Sequence, residues 1–259
     1  MPVIHSAGCP IHVEIEGPER APVLMLSNSL GTDLTMWEAQ LQPFARHFRV
    51  VRYDRRGHGR SGVTPGPYDM AQLGRDALAV MDGLRVEKVH WCGLSMGGME
   101  GQWLGANAPE RIDKLVLANP SCHYAVKDFW NERLKAVREG GVATIADRVL
   151  AMWFTKDFFA REPQTVARFR DLMISTPLEG YLACSEAVRD MDHRDLLAKI
   201  AAPTLIVAGR YDNATPIEAS KFIRRNIPGA QLTILEAAHI SNVEQPGAFA
   251  AEVLGFLTS

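Results

Sequence analysis

The stretch Val89-His90-Trp91-Cys92-Gly93-Leu94-Ser95-Met96-Gly97-Gly98-Met99 decides the fold of this chain. An apolar, β-leaning run ends at Gly93, Ser95 follows two residues later, and a helix-compatible run then begins. The pattern is G-x-S-x-G between a strand and a helix, a context that makes five residues specific. Any side chain at Gly93 or Gly97 would collide with the neighbouring strand and helix. We therefore predict a strained turn that lifts the Ser95 hydroxyl above a sheet edge; the alternative is a glycine-rich joint with an idle serine.

The rest of the chain alternates strand-like runs with helical patterns. Residues 11–15 alternate apolar and polar positions, which predicts a half-exposed antiparallel strand. Val23-Leu24-Met25-Leu26 is continuously apolar, as in a strand covered on both faces. Further strand-like runs lie before Ser95 and at 48–53, 112–118, 203–208 and 231–235. Amphipathic patterns between them, such as residues 73–84 and 217–226, predict helices. This order predicts an α/β fold with a mostly parallel central sheet flanked by helices.

The pattern changes after Pro120, where strand-like runs stop until residue 203. Four helical stretches occupy this region: Phe129–Arg138, Val142–Trp153, Pro163–Ile174 and Leu178–Met191. An insertion of roughly 75 residues is much longer than an ordinary strand–helix loop. We expect an all-helical cap, residues 121–195, over the carboxyl edge of the sheet, with a core formed by residues 1–120 and 196–259.

Composition limits the classes of function. The chain has 259 residues, 47% of them hydrophobic, and a net charge of -2, so neither nucleic acid nor an anionic membrane is an expected partner. No apolar run approaches the roughly 20 residues that span a bilayer, and the N-terminus lacks the pattern of a secretion signal. The four cysteines are scattered and the eight histidines show no metal-ligand spacing. We expect a cytoplasmic protein with reduced thiols, no metal and an oligomeric state that the sequence leaves open.

Two further residues can make Ser95 reactive. Serine needs a base to take its proton, and the base is best held by an acid. His239 lies in the loop after the last predicted strand, and Asp212 lies in the loop after the strand before it. The chain order Ser, Asp, His is the one expected for this chemistry on such a sheet. Glu236 and Asp195 are the rival acids; we favour Asp212 because it directly follows a predicted central strand.

An oxyanion formed on attack by Ser95 needs two fixed N–H donors. Met96 begins the helix after the serine, so its backbone N–H is one candidate. The second donor should come from the loop after the strand at 23–26, and we choose Leu30. Both are backbone roles.

With these placements, the chain resembles an α/β-hydrolase with a helical cap, and within that superfamily the 3-oxoadipate enol-lactonase family. Four stretches carry the resemblance: Leu26–Asp33, Tyr53–Ser61, Gly93–Gly98 and Ala237–Pro246. The first is the most telling, because Asn28-Ser29 replaces the His-Gly of most relatives and Asn-Ser-Leu-Gly is typical of enol-lactonases. Phe129-Trp130-Asn131 and Met152–Thr155 in the predicted cap also resemble that family. Ser121–Tyr124 depart from it, since smaller residues and an arginine are expected there.

The resemblance implies hydrolysis of an enol-lactone to 3-oxoadipate, late in bacterial aromatic-acid breakdown, without a cofactor. Ser95, Asp212 and His239 would be the catalytic triad, with the N–H groups of Leu30 and Met96 as the oxyanion hole. The substrate carries one carboxylate, which implies a basic or strongly donating group above Ser95. Arg133, Arg161 and Arg189 in the predicted cap are candidates, and Trp130 and Trp153 would wall the pocket. Each arginine could equally lie on a solvated helix face, and each tryptophan in the cap interior.

Two other functions fit the same residues. A carboxylesterase or a carbon–carbon bond hydrolase would keep the chemistry and change the substrate. A ligand-binding receptor on the same scaffold would leave the triad idle.

Overall fold

The computed structural model describes residues 3–259, and its centre is an eight-stranded sheet. The strand order is β1-β2-β4-β3-β5-β6-β7-β8. The strands are β1 (Val3–Ser6), β2 (Cys9–Glu16), β3 (Val23–Ser27), β4 (Arg49–Tyr53), β5 (Val89–Leu94), β6 (Ile112–Ala118), β7 (Thr204–Gly209) and β8 (Gln231–Leu235). β2 pairs antiparallel with β1 and β4, and every other pairing is parallel. The predicted mostly parallel sheet is confirmed.

Twelve helices accompany the described strands. Six belong to the layers around the sheet: α1 (Glu38–Ala45), α2 (Met70–Gly83), α3 (Met96–Asn107), α10 (Ile217–Asn226), α11 (Ser241–Glu244) and α12 (Pro246–Leu257). The other six follow β6 and precede β7, and we call them the cap helices: α4 (Asp128–Gly140), α5 (Ala143–Trp153), α6 (Lys156–Arg161), α7 (Pro163–Ser175), α8 (Leu178–Asp190) and α9 (Arg194–Leu197). The expected helical insertion is therefore present, while the boundaries at residues 120 and 195 stay a prediction.

The structure adds elements that the sequence patterns did not indicate. They are β1, α6, α9 and α11, each four to six residues long, too short for a periodicity to show. The segment after β3 contains a 3₁₀ turn, Leu34–Trp37, which is followed by α1. The turn begins at Asp33, whose carboxylate accepts the N–H of Thr35 and so caps it. The described residues contain no helix long and apolar enough to cross a bilayer.

The cap helices rest on the sheet at a contact between two glycines. Gly180, in the first turn of α8, approaches Gly57 so closely that a Cβ built on Gly180 would lie 2.2 Å from the Gly57 carbonyl oxygen. Gly57 also has a φ of +77°, a conformation that other residues adopt only with strain. The loop after β4 and the start of α8 therefore meet backbone to backbone.

A buried ion pair joins β3, β4 and α3 beneath the Ser95 turn. Arg55, which follows β4, donates from Nε to Glu100 of α3 at 2.7 Å and from Nη2 at 3.0 Å. The same guanidinium donates to the Asn28 carbonyl at 2.9 Å, and the Tyr53 hydroxyl donates to Glu100 at 3.1 Å. The Ser27 hydroxyl is a further donor to Glu100. Burial by itself would lower the pKa of Arg55, but the Glu100 carboxylate more than offsets this and raises the pKa, so the guanidinium is charged.

We expect Glu100→Ala to lower the free energy of unfolding by about 3–5 kcal/mol, because it leaves the buried Arg55 charge without a partner. The double variant Arg55→Met/Glu100→Leu should lose less free energy of unfolding than Glu100→Ala, since neither charge of the pair then remains buried. Urea unfolding at neutral pH measures both.

The surface pair Lys88–Asp113 provides the control, because both side chains are half-exposed. Asp113→Ala should cost less than about 1 kcal/mol. If Glu100→Ala lowers the free energy of unfolding no more than Asp113→Ala does, the role given to the buried pair is contradicted.

Candidate active site

Ser95 occupies a strained turn between β5 and α3. Its φ of 56° and ψ of -114° lie where residues other than glycine are rarely found. A Cβ on Gly93 would lie 2.0 Å from the Gly97 carbonyl oxygen, and one on Gly97 would lie 2.2 Å from the Ser27 carbonyl oxygen. The collisions expected from the sequence are therefore real, and both glycines are required by the turn. Ser95 lies at the carboxyl end of β5, between β3 and β6 in the sheet.

Asp212 and His239 meet at the carboxyl ends of β7 and β8. The His239 Nδ1 lies 2.8 Å from Asp212 Oδ2, and both side chains are buried. Burial by itself would raise the pKa of Asp212, but His239 and the N–H of Thr215 lower it below its usual value. The carboxylate is thus ionised and placed to hold the imidazole in one orientation.

Two residues that the sequence analysis did not select hold this pair in place. Asn119, directly after β6, donates to Asp212 Oδ2 at 2.9 Å and to the Ala238 carbonyl at 3.2 Å. Thr215 donates its hydroxyl to the same Oδ2 at 2.7 Å. Asn119 has a φ of 46°, which asparagine tolerates better than most residues. An asparagine at the carboxyl end of a predicted central strand, and a threonine three residues after Asp212, are the signals that could have identified them.

The loop after β3 leaves one N–H group free among residues 29–32. The Ser29 N–H donates to the Met36 sulfur at 3.3 Å, the Gly31 N–H to His58 Nε2 at 2.9 Å, and the Thr32 N–H to the Ser29 carbonyl at 3.3 Å. Leu30 N–H has no acceptor among the described residues. Because buried N–H groups are almost always paired, this free donor points to a ligand.

The Ser95 turn shows the same feature. Ser95 N–H donates to the Ala118 carbonyl at 2.8 Å, and Gly97 N–H to the Asn28 carbonyl at 3.1 Å. Within residues 3–259, Met96 N–H donates to no acceptor. The bond from Gly97 to Asn28 also ties the turn directly to the loop that carries Leu30, so the two free donors keep a fixed relative position.

A cavity of about 280 Å³ lies between these loops and the cap helices. Ser95, Met96, Leu30 and His239 line its floor. Apolar side chains form much of its wall, among them Met99, Phe129, Trp130, Met152, Trp153 and Val188. No hydrogen bond joins Ser95 to His239 in the part of the chain that the structure describes; in sites without substrate such bonds are often long. The volume suits a small organic substrate.

Arg133 is the one permanently charged side chain among the described residues that line this cavity. Its guanidinium lies 4.9 Å from the centre of the Trp130 ring and donates from Nε to the Tyr181 hydroxyl at 2.8 Å. Burial raises the pKa of Tyr181, so the phenol is neutral and does not cancel the charge. Arg133 forms no ion pair within residues 3–259. The Trp130 Nε1 is buried and also without a partner there.

The other candidates lie elsewhere. The Arg161 guanidinium packs over the Phe158 ring in a separate groove. Arg189 forms an ion pair with Asp190 at 2.6 Å. Glu236 is exposed and binds Arg210, while Asp195 is exposed on α9. Of the predicted alternatives, the structure therefore brings only Arg133 to the cavity and only Asp212 to His239.

The cap helices also hold the His239 loop. Ile240 N–H donates to the Trp153 carbonyl at 3.1 Å, at the end of α5. On the other side of the histidine, Ala238 N–H donates to Glu244 at 2.9 Å, and Glu244 accepts the Thr155 hydroxyl from the cap. Tyr124, in the segment that departs from the expected family pattern, lines the cavity and packs edge-to-face on Trp130.

Comparison with known proteins agrees with this geometry. A family model described as the alpha/beta hydrolase fold matches residues 22–246. The chain belongs to the α/β-hydrolase family. It is similar to 3-oxoadipate enol-lactonase 2 of Acinetobacter baylyi, with 40% identity over 90% of this chain and 87% of that protein. The crystal structure of the enol-lactonase from Burkholderia xenovorans LB400 covers all of both chains at a TM-score of 0.98 and 40% identity.

The chain is also similar to hydrolases that are named for a different substrate. A Caulobacter sp. (strain K31) protein named as a carbamate hydrolase, RutD, is 31% identical over 91% of this chain and 90% of its own length. The α/β-hydrolase assignment and the resemblance to enol-lactonases inferred from the sequence are confirmed.

We expect Asp212→Asn to lower stability at pH 7, and the loss to shrink on acidification. The pKa of Asp212 is lowered in the folded protein, so its stabilising contribution is complete above the usual aspartate pKa of 3.8 and disappears as pH falls through the lowered value. Urea unfolding of both proteins between pH 7 and pH 3 measures the difference. The exposed Asp195→Asn is the control and should follow the wild type. A difference that grows on acidification would contradict the assignment.

Proposed function

We propose that this α/β-hydrolase opens the ring of an enol-lactone that carries a carboxylate, 3-oxoadipate enol-lactone, by a Ser95–His239–Asp212 mechanism. The observation that carries the proposal is Arg133, the one permanently charged side chain among the described residues that line the largely apolar cavity at Ser95. Similarity to enol-lactonases over most of the chain supports the same substrate.

The chemistry follows from the positions of the groups. His239 takes the Ser95 proton as the serine oxygen attacks the lactone carbonyl, and Asp212 stabilises the resulting imidazolium. The N–H groups of Leu30 and Met96 bind the oxyanion. When the tetrahedral intermediate collapses, the ring oxygen leaves as an enol with the proton from His239, and the enol becomes a ketone. Water, deprotonated by His239, then cleaves the acyl-enzyme and regenerates Ser95.

Arg133 and Trp130 would bind the carboxylate. The guanidinium retains donors beyond those used on Tyr181, and the Trp130 Nε1–H is free. A charge-assisted hydrogen bond in a largely apolar cavity is stronger than one in water. Trp153 also lines the cavity and would orient the ring by contact.

The first test is direct. We expect the purified protein to hydrolyse the enol-lactone, and Ser95→Ala and His239→Ala each to lose nearly all activity. Because the two residues act as one unit, the double variant should lose little more than either single variant. Steady-state assay of the three variants measures this. If the fold-loss of activity in the double variant equals the product of the two single-variant losses, Ser95 and His239 do not act as one unit.

The second test separates the lactone from neutral substrates. Arg133→Met should raise KM for the enol-lactone by about 10- to 100-fold, the value of a hydrogen bond to a charged group, and leave KM for a neutral aryl ester nearly unchanged. Arg148→Met is the matched control, because Arg148 also stacks on an aromatic ring, Phe129, but is exposed.

An equal effect of Arg133→Met on both substrates would remove the carboxylate role. Faster turnover of a carbamate or neutral esters than of the enol-lactone by the wild type would favour the functions named for the more distant relatives.

A further inference from the structure

Asn28 and Ser29, the pair that carries much of the sequence resemblance, have different roles in the structure. Both polar atoms of the Asn28 side chain bind the scaffold: the amide nitrogen donates to the Tyr53 carbonyl at 2.9 Å, and the oxygen accepts from Trp37 Nε1 at 3.0 Å. Its carbonyl accepts from Arg55 and from Gly97. Asn28 therefore fixes the loop, and it is not among the residues that line the cavity.

Ser29 is arranged in the opposite way. Its N–H donates to the Met36 sulfur. Its carbonyl accepts two hydrogen bonds from Thr32, one from the N–H and one, at 2.9 Å, from the hydroxyl. Its side chain is 1% exposed, yet the hydroxyl has no partner among the described residues, and the residue lines the cavity. The backbone of Ser29 is thus anchored, and its hydroxyl is the group left to meet a ligand.

The position of this hydroxyl limits what it can meet. Ser29 immediately precedes Leu30, whose N–H is the free donor of the same loop, and the loop is tied to the Ser95 turn through the Asn28 carbonyl. We propose that the Ser29 hydroxyl is a third hydrogen-bond donor to the oxyanion, beside the N–H groups of Leu30 and Met96. The inference rests on the proposed function, since it requires attack by Ser95.

A hydroxyl differs from the two N–H donors in one useful respect. It rotates, so it can turn toward the oxygen as negative charge develops and contribute more to the transition state than to the bound substrate. The expected signature is therefore a change in kcat rather than in KM.

The test is Ser29→Ala, assayed on the enol-lactone and on a neutral aryl ester. We expect kcat to fall by about 10- to 100-fold on both substrates with KM within about twofold of wild type, because loss of one oxyanion donor acts on the transition state. Affinity for phenylboronic acid, which forms a tetrahedral adduct with the active serine, should fall in parallel, while affinity for 3-oxoadipate stays unchanged.

Ser220→Ala is the matched control. Ser220 is a buried serine whose hydroxyl also lacks a partner, but it lies on α10 and does not line the cavity. Its removal should leave kcat and boronate affinity unchanged. If Ser29→Ala does not fold, Ser29→Cys, which keeps the size and weakens the donor, takes its place with the same expected direction.

The outcomes separate the two proposals. If the wild type is active and the Ser29→Ala variant has the same kcat, the third-donor role is overturned and the proposed function is not. A rise in KM at constant kcat would also overturn that role, because it marks a contact to the bound substrate only. A wild-type protein that hydrolyses neither substrate would overturn the proposed function and this inference together.

Discussion

The close backbone contact beneath Ser95 is the constraint on which the active site depends. Gly93 and Gly97 pack so tightly that either Cβ would come within 2.2 Å of a carbonyl oxygen, and Ser95 between them has a positive φ. Such strain persists only where surrounding structure determines it. Here the sheet neighbours β3 and β6 and the bond from Gly97 to Asn28 do so. One contact thus positions both the serine and the loop that carries Leu30.

The buried polar groups around this contact follow a common logic. Arg55, Tyr53 and Ser27 hydrogen-bond to Glu100 below the turn, and Asn119 and Thr215 hydrogen-bond to Asp212 beside it. On the cavity side, four groups have no partner among the described residues: the N–H donors of Leu30 and Met96, the Ser29 hydroxyl and the Trp130 Nε1. Free donors gathered at one cavity fit a ligand that supplies the acceptor.

The cap helices hold the His239 loop as well as forming part of the cavity wall. The Trp153 carbonyl and the hydroxyl of Thr155, acting through Glu244, fix the loop on both sides of His239. The histidine is therefore positioned from the sheet by Asp212 and from the cap by these contacts. This dual support explains why residues far from the serine in sequence, on α5 and at the start of α6, belong to the architecture of the site.

The sequence by itself determined most strands and helices along the chain and the turn at Ser95, and it selected Ser95, Asp212 and His239 as the predicted triad. These depend on local signals: apolar runs, glycines that a turn requires, and polar residues directly after strands. It left Arg133, Arg161 and Arg189 equivalent, and it did not identify Asn119, Thr215 or the different roles of Asn28 and Ser29. Only the tertiary structure decided these, since helix periodicity does not say which face a cap helix turns toward the sheet. Whether a polar group is paired depends on partners up to about a hundred residues away, such as Asp212 for Asn119.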